Sequence, residues 1–332
     1  MEQATPQAVI LVTGSGRSGT SSLAGSLKRL GLHIPPPEVP ASETNPRGFY
    51  EPQWVIDFHK GYLKELAMHN IDSRPNAVDL VAELTATGEP QERLLAWLSD
   101  VPRDHPILVK DPHAYWFGDV WKSACAAADL DLRWLTALRH PAEVVGSRDI
   151  AYLQDRDQSL RLIKETSNIA GWVHAALLTE RQGRGGRRAF VRYDDLLADW
   201  RTALGRAGEQ LGLDFGDLGP QHPIDDFLEP SMRKSQLTWD DIHLPAWLQE
   251  MAEEVWQILA GLVAEPQDPA AEARLDGIRE EYARRYAEGV ALTFDHTHGE
   301  SQLAARRARA AQRDKIKELR GRIQKLRREL GR

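Results

Sequence analysis

The residues with the clearest chemical meaning are Thr13-Gly14-Ser15-Gly16-Arg17-Ser18-Gly19-Thr20-Ser21-Ser22. They follow a short apolar run (residues 9–13) and precede a stretch with helical spacing (residues 19–30). A glycine loop between a strand and a helix aims several backbone N–H groups at one point, and the helix dipole adds positive potential there. An anion is the expected guest. Gly14 and Gly19 have the spacing that opens a nucleotide-triphosphate loop, but that motif continues with Lys and then Ser or Thr. Here Thr20 takes the lysine position and the cation, Arg17, lies inside the loop. A kinase or ATPase uses the lysine on the terminal phosphates and the hydroxyl on Mg²⁺. An arginine fork with many hydroxyls suits a phosphate and a transferring anionic group bound without a metal.

A second anion motif is Arg139, closing a strand, with Ser147 eight residues on inside the next helix. Two turns in, Ser147 faces back toward Arg139, and an arginine with a hydroxyl makes a phosphate clamp. The alternative is a strand-end arginine paired with a helix-face acid such as Glu143.

The segments together resemble the sulfotransferase family that uses 3′-phosphoadenosine 5′-phosphosulfate (PAPS). Arg17 to Ser21 is similar to that family's 5′-phosphosulfate loop, and Arg139 to Ser147 has the spacing of its 3′-phosphate motif. Asn45-Pro46-Arg47-Gly48-Phe49-Tyr50-Glu51 and Leu108-Val109-Lys110-Asp111-Pro112 resemble bacterial members in particular. The likeness spans residues 8–215 and includes Val191-Arg192-Tyr193-Asp194-Asp195-Leu196. It implies a P-loop-like α/β fold and transfer of a sulfuryl group from PAPS to an acceptor hydroxyl, with 3′-phosphoadenosine 5′-phosphate (PAP) as product. The donor would be held by Ser15, Gly16, Arg17, Ser18, Gly19, Thr20, Ser21, Arg139, Ser147 and Arg233. Arg17 would take the role of the family's loop lysine. A guanidinium supplies charge and hydrogen bonds but is a poor proton donor.

Transfer to a hydroxyl needs a general base. Glu51 and His113 are the first candidates; Asp111 and Glu43 remain alternatives. Glu51 could instead serve only as an acid at a helix start, and His113 as a loop histidine bonded to backbone. Arg233-Lys234 either reaches the 3′-phosphate or is a solvated pair. Trp54 and Trp116 are candidates for an acceptor groove. Asp295-His296-Thr297-His298 reads as a solvated loop, since no third ligand at suitable spacing supports a metal. The acceptor class implied is a carbohydrate or small metabolite, not nucleic acid. An ATP-dependent small-molecule kinase and a non-catalytic nucleotide-binding scaffold are the competing functions.

The elements that must position these groups alternate. Strands are expected at 9–13, 107–109, 132–138 and 189–192, with helices at 19–30, 52–68, 142–152, 160–181 and 196–211. That alternation predicts a parallel sheet covered by helices. Residues 245–264 and 269–291 are helical with no strand between them. The expected division is an α/β domain at 1–262, a helical extension at 263–300 and a basic C-terminal helix at 301–332.

At 332 residues the chain can bury a core without disulfides or metal. Hydrophobic residues at 42% and charged residues at 27% exclude collagen-like and wholly disordered chains. The single cysteine, Cys125, falls in an alanine-rich helical stretch and reads as a small buried residue. A reducing compartment and cytoplasmic residence are the expectations; residues 1–7 make a poor signal peptide, and no apolar run approaches the ~20 residues of a membrane span. The net charge of -7 hides a polarity, because residues 301–332 carry 12 Lys and Arg against 3 Asp and Glu. Ile316, Leu319, Ile323, Leu326 and Leu330 form a stripe with heptad spacing over about two heptads. It predicts a surface helix packed on the body, a dimer contact or a helix that docks on an anionic surface.

Overall fold

The computed structural model describes residues 7–43, 45–152, 159–233, 235–329 and 331. The chain divides into two compact units, one ending at Glu280 and the other running from Glu281. Thus a boundary lies inside a helix, where the sequence placed boundaries after 262 and 300.

The first unit is built on a four-stranded parallel sheet: β1 (Gln7–Thr13), β2 (Ile107–Lys110), β3 (Leu130–Leu138) and β4 (Arg188–Arg192), in the order β2-β1-β3-β4. Ala8–Val12 of β1 are apolar throughout because both faces of the sheet are covered. Val9 and Leu11 of β1 enter one core, with Phe58, Leu94 and Trp121, while Ile10 and Val12 enter the other, with Leu23, Leu27 and Leu204. The period-two alternation of strand side chains feeds both layers from one strand. Register sets the position of the site: Val12 lies opposite Lys110 of β2, and Thr13 opposite Thr136 of β3. The carboxyl ends of the three strands therefore lie side by side.

The connecting helices are α1 (Thr20–Arg29), α2 (Gln53–Glu65), α3 (Ala77–Thr85), α4 (Glu89–Asp100), α5 (Gly118–Ala127), α6 (Pro141–Tyr152), α7 (Ser159–Gln182), α8 (Tyr193–Ala198), α9 (Trp200–Leu211) and α10 (Ala246–Gly261). The fold class matches the expected parallel α/β arrangement. Two details differ. No element was assigned between residues 68 and 107, yet α3 and α4 lie there, each burying a narrow apolar edge through Ala77 and Val81 or Leu94 and Leu98. Such short faces give a weak periodic signal. The single helix expected at 196–211 is two, since Asp199 leaves helical geometry (φ -152°, ψ 84°) and its side chain caps α9 by accepting from the Thr202 N–H at 3.2 Å.

α11 (Pro269–Leu292) begins in the first unit, where Leu275 and Ile278 are buried. Arg188 at the start of β4 is buried between Glu180 of α7 (2.8 Å) and Glu272 of α11 (2.6 Å). In the second unit, α12 (Phe294–Glu329) is a single 36-residue helix. Residues 295–298 are thus its first turn, not a loop. Within that unit Ile316, Leu319, Ile323 and Leu326 are exposed; Leu330 lies outside the described residues. Cys125 is buried as expected, and burial pushes its thiol up to about 12. Among the described residues no helix is long and apolar enough to cross a membrane.

Candidate active site

The glycine loop leaves β1 at Thr13 and enters α1 at Thr20. Gly14 has φ 128°, and a Cβ there would stand 2.5 Å from the Ala137 carbonyl oxygen of β3. Gly19 has φ 86°, and a Cβ there would collide with the Tyr193 ring at 2.2 Å. Only glycine meets both demands. No side chain caps α1, and its first turn holds no acid. The helix N-terminus therefore presents its N–H groups to the cavity without an internal counter-charge.

Arg17 is not glycine, yet its φ is 76°. A left-handed arginine carries roughly 1–2 kcal/mol of strain. Two contacts hold it: Arg17 Nε donates to Ser147 Oγ at 3.1 Å, and Arg139 Nη1 donates to the Arg17 carbonyl at 3.2 Å. Strain retained beside a ligand-sized cavity is a mark of a functional position.

That cavity, of about 290 Å³, is lined by Gly16, Arg17, Gly19, Thr20, Ser21, Glu51, Lys110, Arg139 and Ser147 among others. Most of the predicted donor-site residues thus share one space. Ser18 is buried beneath the loop, its N–H donating to the Ser15 carbonyl at 3.0 Å. Ser15 Oγ faces another cation: Arg148 Nη2 donates to it at 2.9 Å and to the Gly16 carbonyl at 3.2 Å.

Arg139 makes the Glu143 contact left open by the sequence, Nε to Oε2 at 3.0 Å, and Nη2 donates to the Ser235 carbonyl at 3.1 Å. Its guanidinium also lies 5.0 Å from the Tyr193 ring centroid. Arg233 donates to the other oxygen of Glu143 and lies 3.5 Å from Asp194. One buried carboxylate therefore holds two guanidiniums, which leaves the cluster of Arg17, Arg139, Arg233, Glu143 and Asp194 net positive. Lys234 lies outside the described residues.

Lys110 is a cation of the cavity wall that sequence reasoning did not single out as a site residue. It ends β2, donates to Glu51 and reaches Ser21 Oγ at 3.4 Å. Both partners of the Lys110–Glu51 pair are buried. A lysine missing from the loop thus arrives from the neighbouring strand, one residue pair before the loop begins. Its signal was present in the quoted Leu108-Val109-Lys110-Asp111-Pro112 segment, but only the parallel register brings it to Ser21. Asn45 arrives from the loop before α2, with Nδ2 donating to Ser21 Oγ at 3.3 Å and to the Gly48 carbonyl at 2.7 Å.

Behind Lys110 lies a buried chain of imidazoles. The Asp111 carboxylate takes His113 Nδ1 on one oxygen and His59 Nδ1 on the other, each at 2.6 Å. The His113 backbone N–H adds a third bond at 2.8 Å. Trp121 Nε1 donates to His59 Nε2 at 3.0 Å, so the proton of His59 resides on Nδ1. Burial, larger than the opposing pull of Asp111, lowers the His59 pKa and keeps that ring neutral. Burial by itself would raise the Asp111 pKa, but attraction to His113 and the hydrogen bonds from both rings hold it well below the usual carboxylate range. An ionised Asp111 accepts from His113 Nδ1 and leaves Nε2 as the basic nitrogen. His113 follows Pro112, on the cavity wall, but is not itself among the cavity's lining residues.

Glu43 is exposed and Thr44 lies outside the described residues. Trp54 stacks on Phe58 and Trp97 at 4.9 and 5.0 Å, and Trp116 is buried against His174. Both tryptophans pack the interior and do not form the expected groove. Among the described residues no group of three or more His, Cys, Asp or Glu is arranged to hold a metal ion.

The fold and this edge define a parallel α/β protein whose first strand feeds a glycine loop at the helix N-terminus. Among solved structures, the chain is similar to the sulfotransferase domain from the Synechococcus PCC 7002 olefin synthase, at 18% identity and a TM-score of 0.45, over 78% of this chain and 97% of that one. It is also similar to the sulfotransferase domain from the curacin biosynthetic pathway, at 17% identity and a TM-score of 0.41, over 77% and 99% of the two chains. No protein-family model and no curated protein matches it.

Proposed function

We propose that the protein is a PAPS-dependent sulfotransferase acting on an acceptor hydroxyl. The observation that carries this reading is the convergence of Arg17, Lys110 and the uncapped N-terminus of α1 on one cavity, with Thr20 in place of a loop lysine. These groups suit a phosphosulfate. Arg139, Ser147 and Arg233 suit the 3′-phosphate, with Glu143 as the buried carboxylate that holds both arginines in place.

In the transfer, the acceptor oxygen forms a bond to sulfur while the bond from sulfur to the 5′-phosphate oxygen breaks. The electron pair of that bond leaves with the phosphate, where Arg17 and Lys110 offset the developing charge. His113 Nε2 takes the acceptor proton. Its other nitrogen is tied to Asp111, whereas the Glu51 carboxylate is already engaged by Lys110. Glu51 in this scheme orients Lys110.

Calorimetry without Mg²⁺ is the first test. PAP should bind at least tenfold tighter than ADP or ATP. Equal affinity for ADP would remove the 3′-phosphate assignment, and ATP binding that requires Mg²⁺ would favour a kinase. A labelled-sulfate transfer assay over a metabolite panel then tests turnover; PAP binding with no transfer to any acceptor would leave a nucleotide-binding scaffold.

A further inference from the structure

Large apolar side chains stand in water along α12: Phe294 is 61% exposed, and Ile316, Leu319, Ile323 and Leu326 are 43–55% exposed. Apolar side chains exposed together on one helix mark an interaction surface. Their spacing says what shape the partner has. At about 100° per residue the four aliphatic side chains fall within a sector of about 80°. Carried back along a straight helix, that sector passes through Gln312, Ala308, Ala305, Ser301 and His298 to Phe294. None of these positions is Lys, Arg, Asp or Glu. A strict heptad drifts by about 20° per repeat relative to a straight helix, and carried back from Ile316 it puts Arg309 in the seam. The uncharged face therefore follows the straight helix, as contact with a flat surface requires, and not the supercoil of a helical partner.

Charge points the same way. Residues 301–332 hold 12 Lys and Arg against 3 Asp and Glu. Lys315 and Arg322 border the apolar face on one side and Arg309 and Arg320 on the other, whereas Asp314 and Glu318 stand about 120–160° from its centre. Cations beside an apolar face, with acids behind it, match a layer of phosphate head groups over acyl chains. The aliphatic side chains enter the boundary, and the long basic side chains reach up to the phosphates. A second copy of the helix fits badly. With Ile316, Leu319, Ile323 and Leu326 as the seam, Lys315, Arg320 and Arg322 take the flanking positions that meet a neighbouring helix, so a second copy would set cation against cation.

We infer that α12 docks flat on an anionic phospholipid bilayer, lying in its interface without spanning it. The docking does not depend on any reaction at the cavity, so its failure leaves the sulfotransferase reading untouched.

The full chain is sedimented with vesicles of phosphatidylcholine alone and of equimolar phosphatidylcholine and phosphatidylglycerol, in ~0.1 M salt. It should bind the anionic vesicles about tenfold or more tightly than the neutral ones, and ~1 M salt should weaken that binding. Leu319→Gln with Ile323→Gln, and separately Arg320→Glu with Arg322→Glu, should each weaken it by about tenfold or more. Glu318→Gln, behind the apolar face, should not weaken it. The substituted side chains are exposed, and Gln and Glu are good helix formers, so helix content and Tm should be unchanged. Equal binding to neutral vesicles, no binding to either kind, tighter binding to a DNA duplex at the same salt, or indifference to either paired variant overturns the inference. So does a dimer in sedimentation velocity that Leu319→Gln with Ile323→Gln dissolves, because the stripe would then face a second copy.

Discussion

Two regions of this protein use the same charged residues to opposite ends. At the carboxyl edge of the sheet, Lys110, Asp111, Arg139 and Glu143 are all buried, and each is held by a partner of opposite charge or by an imidazole. On the later half of α11, Arg284 and Arg285 clasp Glu281 at 2.6 and 2.8 Å, and all three lie at the surface with side chains 38–54% exposed. The distances are alike. The consequences are not, because an exposed pair exchanges one set of water contacts for another, whereas a buried charge whose partner is removed has nothing to replace it. Short distances between charges therefore say little about worth until burial is known, and the buried set is where function is expected.

The comparison breaks most visibly at Asp111. Asp111→Ala leaves two buried imidazoles without their acceptor and should cost about 3–5 kcal/mol in urea unfolding. A loss near that of a surface pair would show that the chain of imidazoles is not structurally coupled.

His113→Asn and Glu51→Gln separate the base from the orienting acid. His113→Asn should lower turnover by roughly 10²–10⁴ with PAP affinity within a few-fold. Glu51→Gln should be milder and should shift PAP affinity, because it frees Lys110. The reverse pattern returns the base to Glu51, and a change below about tenfold in both variants excludes both.

Arg17→Gly sharpens the contrast between stability and function. Turnover should fall by roughly 10²–10³ through loss of one donor to developing charge, while Tm is not lowered, since glycine accepts φ 76° without strain. A marked loss of Tm would make Arg17 a structural residue.

A smaller effect comes from pH. The pKa of His59 is lowered from its ordinary 6.5 by burial, and so is that of His174. Below pH 6.5 the unfolded chain takes up protons at these rings that the folded chain does not, so stability should fall as pH drops through that range. Asp111, with its pKa depressed, adds stability that is lost only below its ordinary value of 3.8. Between pH 6.5 and about 4.5, His59→Asn should flatten the slope and leave the part due to His174. An unchanged slope would mean that His59 is not neutral in the folded protein.

The smallest effect is expected at the exposed region. Arg284→Ala should leave Tm unchanged within measurement, and added salt should not alter that result; a clear loss would mean that burial is not what distinguishes the two regions.

Local features of the chain determined a good deal. Val9 to Thr13, Gly14 and Gly19 specify strand, turn and helix from neighbouring residues alone, because backbone geometry and period-two patterning act over a few positions. The same holds for the β3-to-α6 segment with Arg139 and Ser147, and for the heptad stripe of α12. The faint edges of α3 and α4 were not legible, since each buries too few side chains to set a period. Tertiary structure decided which groups meet. Lys110 reaches Ser21 only because β2 lies beside β1 in parallel register. His59 and Trp121 meet Asp111 only because α2 and α5 pack over the same sheet face. Glu143 joins Arg139 to Arg233 across 90 residues of chain. Contacts of that kind depend on sheet order and packing, which no local spacing encodes.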